Sequence, residues 1–477
     1  MMPIEKNPTI NNSDYEIEIV RISPKNQGVS IEYKYKGELP AYTKLVISEA
    51  ETGDTVCEVD SFISENTIHA DRILNDTVYI AEVIGYDYDK KPIMHSNKRL
   101  FETGYFPGQV INYIHPDDFT YAYSGKFPDS PNIIKLENGT YIACHGVMGW
   151  EGHNALCLVF VSKDYGKTWH YISRVERCCL AKLFRYGEKI YLLGTTDVKQ
   201  GDLVLYESTD DCVSWSDPIT LIEHTEDYTL RCSPIAHAEF KGRLWLYIDR
   251  RCYSDPAGFQ TAVASVPVDA DFADPNNWAF TEFIKYNPEW EGIEQEAWGA
   301  CMMEEGNLIV NRNMELIMLI RFNSHRYDIP EADPTNIKAI MFKVDTDNPT
   351  APMEFVKAIP FNGTFSKTYI QYDEETDLYY AMLSRMTTNK IWQRNVLSLY
   401  SSYDLEHWKV ERDLINLEDM EWYENNWESG MHYPTWFIEG DDIVAAVRSS
   451  LNHADNFHNS NAITFHRFRG FREKYNF

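Results

Sequence analysis

No stretch of the 477 residues is apolar for long enough to cross a membrane as a helix, and no tract is of low complexity. No cysteine sits in a CxxC or Cys/His metal spacing. Positive charge is scarce: 44 Lys and Arg stand against 73 Asp and Glu, a formal net charge of −29. Such a surface repels nucleic acid and anionic membranes, so neither is expected as a partner. It repels an acidic ligand too, unless the site itself is locally positive. The start, Met1-Met2-Pro3-Ile4-Glu5-Lys6-Asn7, lacks the basic region and apolar run of a secretory signal. Nine cysteines is an odd number, and Cys178-Cys179 are adjacent, so reduced thiols and a cytoplasmic location are expected. A secreted chain already trimmed of its signal would read the same. Ser-His-Asp arrangements, phosphate loops, HExxH and EF-hand patterns are missing, so no cofactor is expected and no metal site is named. Ca²⁺ on so acidic a chain is left open.

What is present reads as β-structure. Tyr15-Glu16-Ile17-Glu18-Ile19-Val20 alternates, as does Val29-Ser30-Ile31-Glu32-Tyr33-Lys34-Tyr35, and no 3.6-residue apolar period is sustained up to about residue 105. Residues 1–107 are therefore expected to hold a small, fibronectin-like β-sandwich, and residues 108–477 a second domain. In the second, six segments share one form, a turn residue followed by an apolar strand. They begin at Gly139, Gly187, Gly242, Asn313, Asp377 and Gly440. Their spacing, about 48 to 71 residues, is that of four-stranded propeller blades with insertions. The expected fold is all-β: a six-bladed β-propeller behind the sandwich, with a seventh blade near Tyr113-Ile114 or split across the termini left open. A homo-oligomer is left open as well.

Ser162-Lys163-Asp164-Tyr165-Gly166-Lys167-Thr168-Trp169 matches the Asp-box pattern S-x-D-x-G-x-T-W at every position. Ser208 to Trp215 repeats it without the Gly, and Ser402 to Trp408 repeats it one residue short. Asp accepts hydrogen bonds across a hairpin, Gly supplies positive φ and Trp packs beneath, so the box is a folding device and not a catalytic one. With the opening Ser130-Pro131-Asn132-Ile133-Ile134 and the close His458-Asn459-Ser460-Asn461-Ala462, it gives residues 109–477 a resemblance to the sialidase superfamily of BNR-repeat propellers, more distantly to propeller polysaccharide lyases. The resemblance implies a carbohydrate-active enzyme. An exo-acting glycoside hydrolase leads, taking a terminal sialic or uronic acid from a glycan. The alternatives are a lyase working by β-elimination at a uronic acid, and a propeller that binds glycans without catalysis.

Counted from each turn residue, the same position carries Arg250, Arg321, Arg385 and Arg448 in four repeats, and Thr195 in the second. Equivalent positions in successive blades form a ring, so these side chains are expected to make a cationic pocket for a carboxylate at one mouth of the tunnel. The plain alternative is that they are rim salt bridges. Sialidases need a Tyr nucleophile backed by a Glu, an Asp acid/base and three arginines. The Phe/Tyr-Arg-Ile-Pro motif of the first arginine is absent here. Glu296 precedes the fourth repeat much as the supporting Glu does and is the candidate carboxylate. For elimination, His145 is the candidate base, joined by His153. Lys367, Tyr369 and His432 precede Arg-bearing repeats and are candidate pocket residues, each with a packing reading beside it.

Overall fold

The computed structural model describes residues 17–473 apart from 37–38, 62–65, 150–154, 255–257, 291, 293–301, 324–330 and 332. Strands and short 3₁₀ turns make up its regular structure. No helix among the described residues is long and apolar enough to cross a membrane. The eight described cysteines are all free.

Residues 17–102 build two facing antiparallel sheets. One holds Ile17–Lys25, Gly28–Tyr35 and Thr67–Asp71; the other holds Thr55–Ser61, Tyr42–Glu49, Val78–Tyr86 and Pro92–His95, with Arg99–Glu102 on the far part of Val78–Tyr86. Burial alternates residue by residue along Val78–Tyr86, as a strand with one wet face requires. Ile19, Ile31, Tyr33, Leu45, Val83 and Phe101 meet in the shared core. Ile17–Lys25 is buried on both faces because its outer side lies against the next domain. There Arg21 donates through Nε to the Ile111 carbonyl at 2.6 Å, and Glu18 pairs with Arg174 at 3.1 Å.

Six antiparallel sheets of at least four strands follow in chain order. Blade 1 runs Phe127–Lys135, Tyr141–Met148, Leu156–Ser162 and His170–Glu176. Blades 2 to 6 begin with Cys179–Tyr186, Tyr228–Cys232, Met302–Val310, Tyr369–Asp373 and Gly430–Glu439. These innermost strands, with Ala238–Phe240 continuing that of blade 3, touch their neighbours around a closed ring, and that of blade 1 packs against those of both blade 2 and blade 6. The molecule is a β-propeller with six such sheets. The six apolar repeats are the second strands: Tyr141–Met148, Lys189–Thr195, Arg243–Cys252, Leu316–Asn323, Leu378–Ser384 and Asp442–Ser450. Leu316–Asn323 is buried at every position, since neighbouring blades cover both its faces, which is why these strands read as unbroken apolar runs. The segment near Tyr113 is no seventh sheet. Gln109–Tyr113 is the outer strand of blade 6, paired with Ala462–Phe468, so the ring is closed by a strand from the beginning of the domain.

One end of the propeller carries the Asp-box hairpins, between third and fourth strands. Asp164 accepts from the Thr168 backbone N–H at 2.9 Å and from its hydroxyl at 2.7 Å, while Ser162 Oγ accepts from Gly166 N–H at 2.9 Å. Gly166 has φ +85°, and a Cβ there would lie 2.2 Å from the Phe465 ring. Asp210 repeats both bonds to Ser214. Cys212 at φ 70° and Leu405 at φ 66° take the strained place that a glycine fills in the complete box.

Candidate active site

At the other end, near the start of each inner strand, the ladder is broken. In blades 1, 2, 4 and 6 two residues oppose one, with register shifts after Asp129, Cys179, Glu304 and His432. The next residue in each case, Ser130, Leu180, Glu305 or Tyr433, has φ between 48° and 63°. A bulge of this kind turns the side chain out of the pleat, and here it turns toward the axis. Blade 3 interrupts its strand at Ser233-Pro234, and in blade 5 Lys367 stands just ahead of the strand that starts at Tyr369. Proline lacks the N–H that a ladder needs, so Pro131, Pro234 and Pro434 suit this break.

The bulged residues and their neighbours form one network with contributions from all six blades. Arg321 Nη1 donates to Glu305 Oε2 at 2.7 Å and to the Tyr433 hydroxyl at 3.0 Å, and lies 3.3 Å from Glu304. Arg231 sits 3.3 Å from Glu304 and 3.7 Å from Asp249. Arg448 donates to Asp129 at 2.5 Å and to the His458 carbonyl, with its guanidinium 5.2 Å over the Tyr433 ring. Lys367 donates to the Pro234 carbonyl at 3.0 Å and to Thr435 Oγ1 at 3.3 Å, its ammonium 5.7 Å from the same ring. Lys182 reaches the Tyr369 hydroxyl at 3.3 Å. Tyr433 is thus held among three cationic side chains, and at 9% it is more exposed than Glu305, Arg321, Lys367 or Arg448.

Burial perturbs these groups strongly. Desolvation brings the Lys367 ammonium down to about 7 against the opposing pull of Glu305. It raises the Asp249 carboxyl to about 7 despite Arg231, and it raises Glu305 despite Arg321. The Tyr433 phenol is pushed up by burial, with Arg321 opposing. Arg231, Arg321, Arg448, Lys182 and Lys367 gather here beside Asp129, Asp249, Glu304 and Glu305, so basic side chains concentrate at the mouth of a chain whose net charge is −29.

The expected ring of four arginines is only half there. Arg321 and Arg448 both stand opposite the first residue of a bulge, Glu304 and His432. Thr195, opposite Cys179, shares that register. In blade 5 the position falls to Ser384, so Arg385 points the other way and pairs with Asp413 at 2.5 Å. Arg250 lies two residues beyond it, binds Gln260 at 2.8 Å and covers the Tyr228 and Phe283 rings. Both make the rim contacts of the plain alternative, because register is set by the bulge and not by the turn from which it was counted.

His145 does not present itself as a base. Its Nδ1 bonds the Gly146 carbonyl at 2.7 Å, its Nε2 lies 3.0 Å from Asn112 Nδ2, and its ring stacks on Phe160. Burial holds its pKa down at about 4, so it is a neutral packing residue. Lys367 and Tyr369 enter the network as described. His432, fully buried, bonds Ser460 at 3.2 Å and packs edge-on against Tyr433 at 5.0 Å, so it supports the mouth from beneath. Glu296 and His153 lie outside the described residues. Glu305 and Tyr433 join the network without having been expected from the sequence. The signal for them was the recurrence of Ser130-Pro131, Ser233-Pro234, Glu305-Gly306 and Tyr433-Pro434 ahead of the repeats.

Two other features lie apart from this network. A hollow of about 900 Å³ beside Gln109, Gly166, Phe465 and Arg469 sits at the Asp-box end. Asp76, Glu102 and His453 bring possible metal ligands within 4.8 Å of one another, on the seam between sandwich and propeller.

No protein-family model matches the chain, and no curated protein matches it in sequence. Solved structures similar to it include an α-L-arabinanase of Penicillium chrysogenum complexed with arabinobiose. That likeness has 15% identity and a TM-score of 0.48, over 76% of this chain and 98% of the other. A Trypanosoma rangeli sialidase in complex with sialic acid shares 13% identity, over 75% of this chain and 57% of the other, at TM-score 0.48. An intramolecular trans-sialidase from Ruminococcus gnavus shares 12%, over 76% and 98%, at TM-score 0.49. Likenesses of this degree assign no role to any residue.

Proposed function

We propose that the chain is a glycoside hydrolase that removes a terminal anionic sugar, sialic or uronic, from a glycan, with Tyr433 as nucleophile and Glu305 as its base. One observation carries the reading: a single guanidinium nitrogen of Arg321 holds both the Tyr433 hydroxyl and the Glu305 carboxylate. Tyrosine serves as a glycosidase nucleophile where a carboxylate would repel an anionic sugar. The Tyr433 oxygen bonds the anomeric carbon as the glycosidic C–O bond breaks, and the phenolic proton passes to Glu305. The raised basicity of Glu305 suits it to receive that proton. The leaving oxygen takes a proton from a further acid or from water. Water then displaces the phenol, giving up a proton that restores the group which protonated the leaving oxygen, and Glu305 returns its own proton to the Tyr433 oxygen. Arg321, Arg448 and Lys367 stabilise the phenoxide and hold the sugar carboxylate.

4-Methylumbelliferyl glycosides of sialic and uronic acids test this, because their acidic leaving group needs little protonation. The expected product has gained one water, and a glycosyl fluoride with a second fluorine on the carbon next to the anomeric one leaves a sugar on Tyr433 that mass spectrometry locates. A sugar product with a ring double bond, lighter by one water than the hydrolysed sugar, means elimination and overturns the hydrolase. With His145 locked by two hydrogen bonds, no observation favours that route.

A further inference from the structure

Three aromatic rings stand together above blades 5 and 6. Trp427 is 53% exposed, and Trp392 and Phe457 are partly exposed beside it. Trp392 meets Trp427 edge-on at 5.6 Å and stacks with Phe457 at 5.8 Å, and Trp427 meets Phe457 edge-on at 5.4 Å. Trp392 lies between the second and third strands of blade 5, and Phe457 in the same connection of blade 6. Trp427 lies in the segment that enters the inner strand of blade 6. Those connections rise where the second strands end and the inner strands begin, the end that holds Arg448 and Tyr433.

The cluster is built rather than incidental. Phe457 N–H donates to the Trp427 carbonyl at 2.5 Å, and Asn425 Oδ1 accepts from Trp427 N–H at 2.8 Å. Buried Arg394 donates to the carbonyls of Ile391 at 2.9 Å and Phe365 at 2.7 Å, and its guanidinium lies 5.9 Å from the Phe457 ring. Its own carbonyl accepts from Met431 N–H at 2.7 Å, tying the Trp392 connection to the strand that carries Tyr433. The platform also runs into the mouth. His458 follows Phe457, its carbonyl accepts from Arg448, and its ring lies 6.2 Å from His432.

The geometry points to a second sugar subsite on Trp427, Trp392 and Phe457, taking the apolar face of a neutral pyranose next to the anionic sugar. This rests on the glycosidase reading above. The charged side chains beside the rings are engaged, Arg394 with backbone carbonyls and Asp455 with Asn456 and Asn459, whose amides flank Phe457 with polar groups suited to sugar hydroxyls. A flat aromatic surface with a polar fringe fits a sugar ring better than a long apolar chain. The substrate is then at least a disaccharide, anionic at its end and neutral next to it.

The test compares kcat/KM for a disaccharide with an anionic terminal sugar against that for the glycosyl fluoride of the same sugar, which has no second ring. Trp427→Ala lowers this ratio on the order of tenfold, and Trp427→Phe restores most of it. An unchanged ratio overturns the subsite. If the wild type turns over neither compound, the glycosidase reading has failed, and the platform is read on its own by tryptophan fluorescence with lactose, maltose and cellobiose. A saturable change abolished by Trp427→Ala supports it. No saturable change, or self-association of the chain that Trp427→Ala abolishes, overturns it.

Discussion

The two ends of the propeller are made by opposite means. At the Asp-box end one short motif recurs with nearly the same residues and the same hydrogen bonds, so that Asp164 and Asp210 do identical work in different blades. At the mouth one backbone event recurs, the bulge, while its residue changes from blade to blade: Ser130, Leu180, Glu305 and Tyr433. Repetition of side chains serves a requirement every blade has, the closing of a hairpin. Repetition of a backbone kink with varied side chains brings unlike groups to one point. Stability is therefore expected to answer to one end and chemistry to the other.

The largest separation comes from Tyr433→Phe, which removes one oxygen. Turnover falls by at least ~10³-fold while thermal unfolding hardly moves, and retention of turnover ends the nucleophile assignment. Arg321→Ala blurs the contrast, since Glu305 and Glu304 lose a buried cation. A loss of about 3–5 kcal/mol in urea unfolding is expected together with inactivity. Binding of an anionic sugar gives the third measure. Lys367 is charged below about 7 and neutral above it, so affinity is highest below that pH and falls as pH rises through it, by roughly tenfold. Lys367→Met flattens the profile, and an unchanged slope removes Lys367 from the grip. At the opposite end, Asp164→Ala costs about 1–2 kcal/mol of stability with kcat/KM intact. Least of all, Arg385→Ala changes unfolding by less than about 1 kcal/mol and leaves anion affinity as it was.

The propeller was legible because its second strands are covered on both faces and so read as apolar runs after a turn, six times over. The Asp-box was legible because its hydrogen bonds are local. The mouth was legible only in part. Counting from the turn groups four arginines, but only Arg321 and Arg448 stand opposite a bulge while Arg250 and Arg385 lie on the rim, since strand register depends on hairpin length and on the bulge. His145 looked like a base because it ends an inner segment of a repeat; only the contacts with Gly146, Asn112 and Phe160 reveal a packed ring. Tyr433 and Glu305 resemble any strand residues until their positive φ turns them inward. That depends on a two-against-one pairing with a strand a dozen or more residues away, which no local pattern records.

The strand Gln109–Tyr113 has a consequence for how the chain comes off the ribosome. Its partner, Ala462–Phe468, is made roughly 350 residues later, which at ordinary translation rates is roughly 20–70 s. Through that interval five nascent blades have no sixth to complete the circle, and a bare strand edge invites pairing with another chain. The sandwich offers a remedy, because Arg21 and Ser23 already bind the carbonyls of Val110 and Ile111, and Val110 and Tyr113 pack into its core. The latch strand is thus held by the sandwich through contacts that do not depend on the strand it closes against.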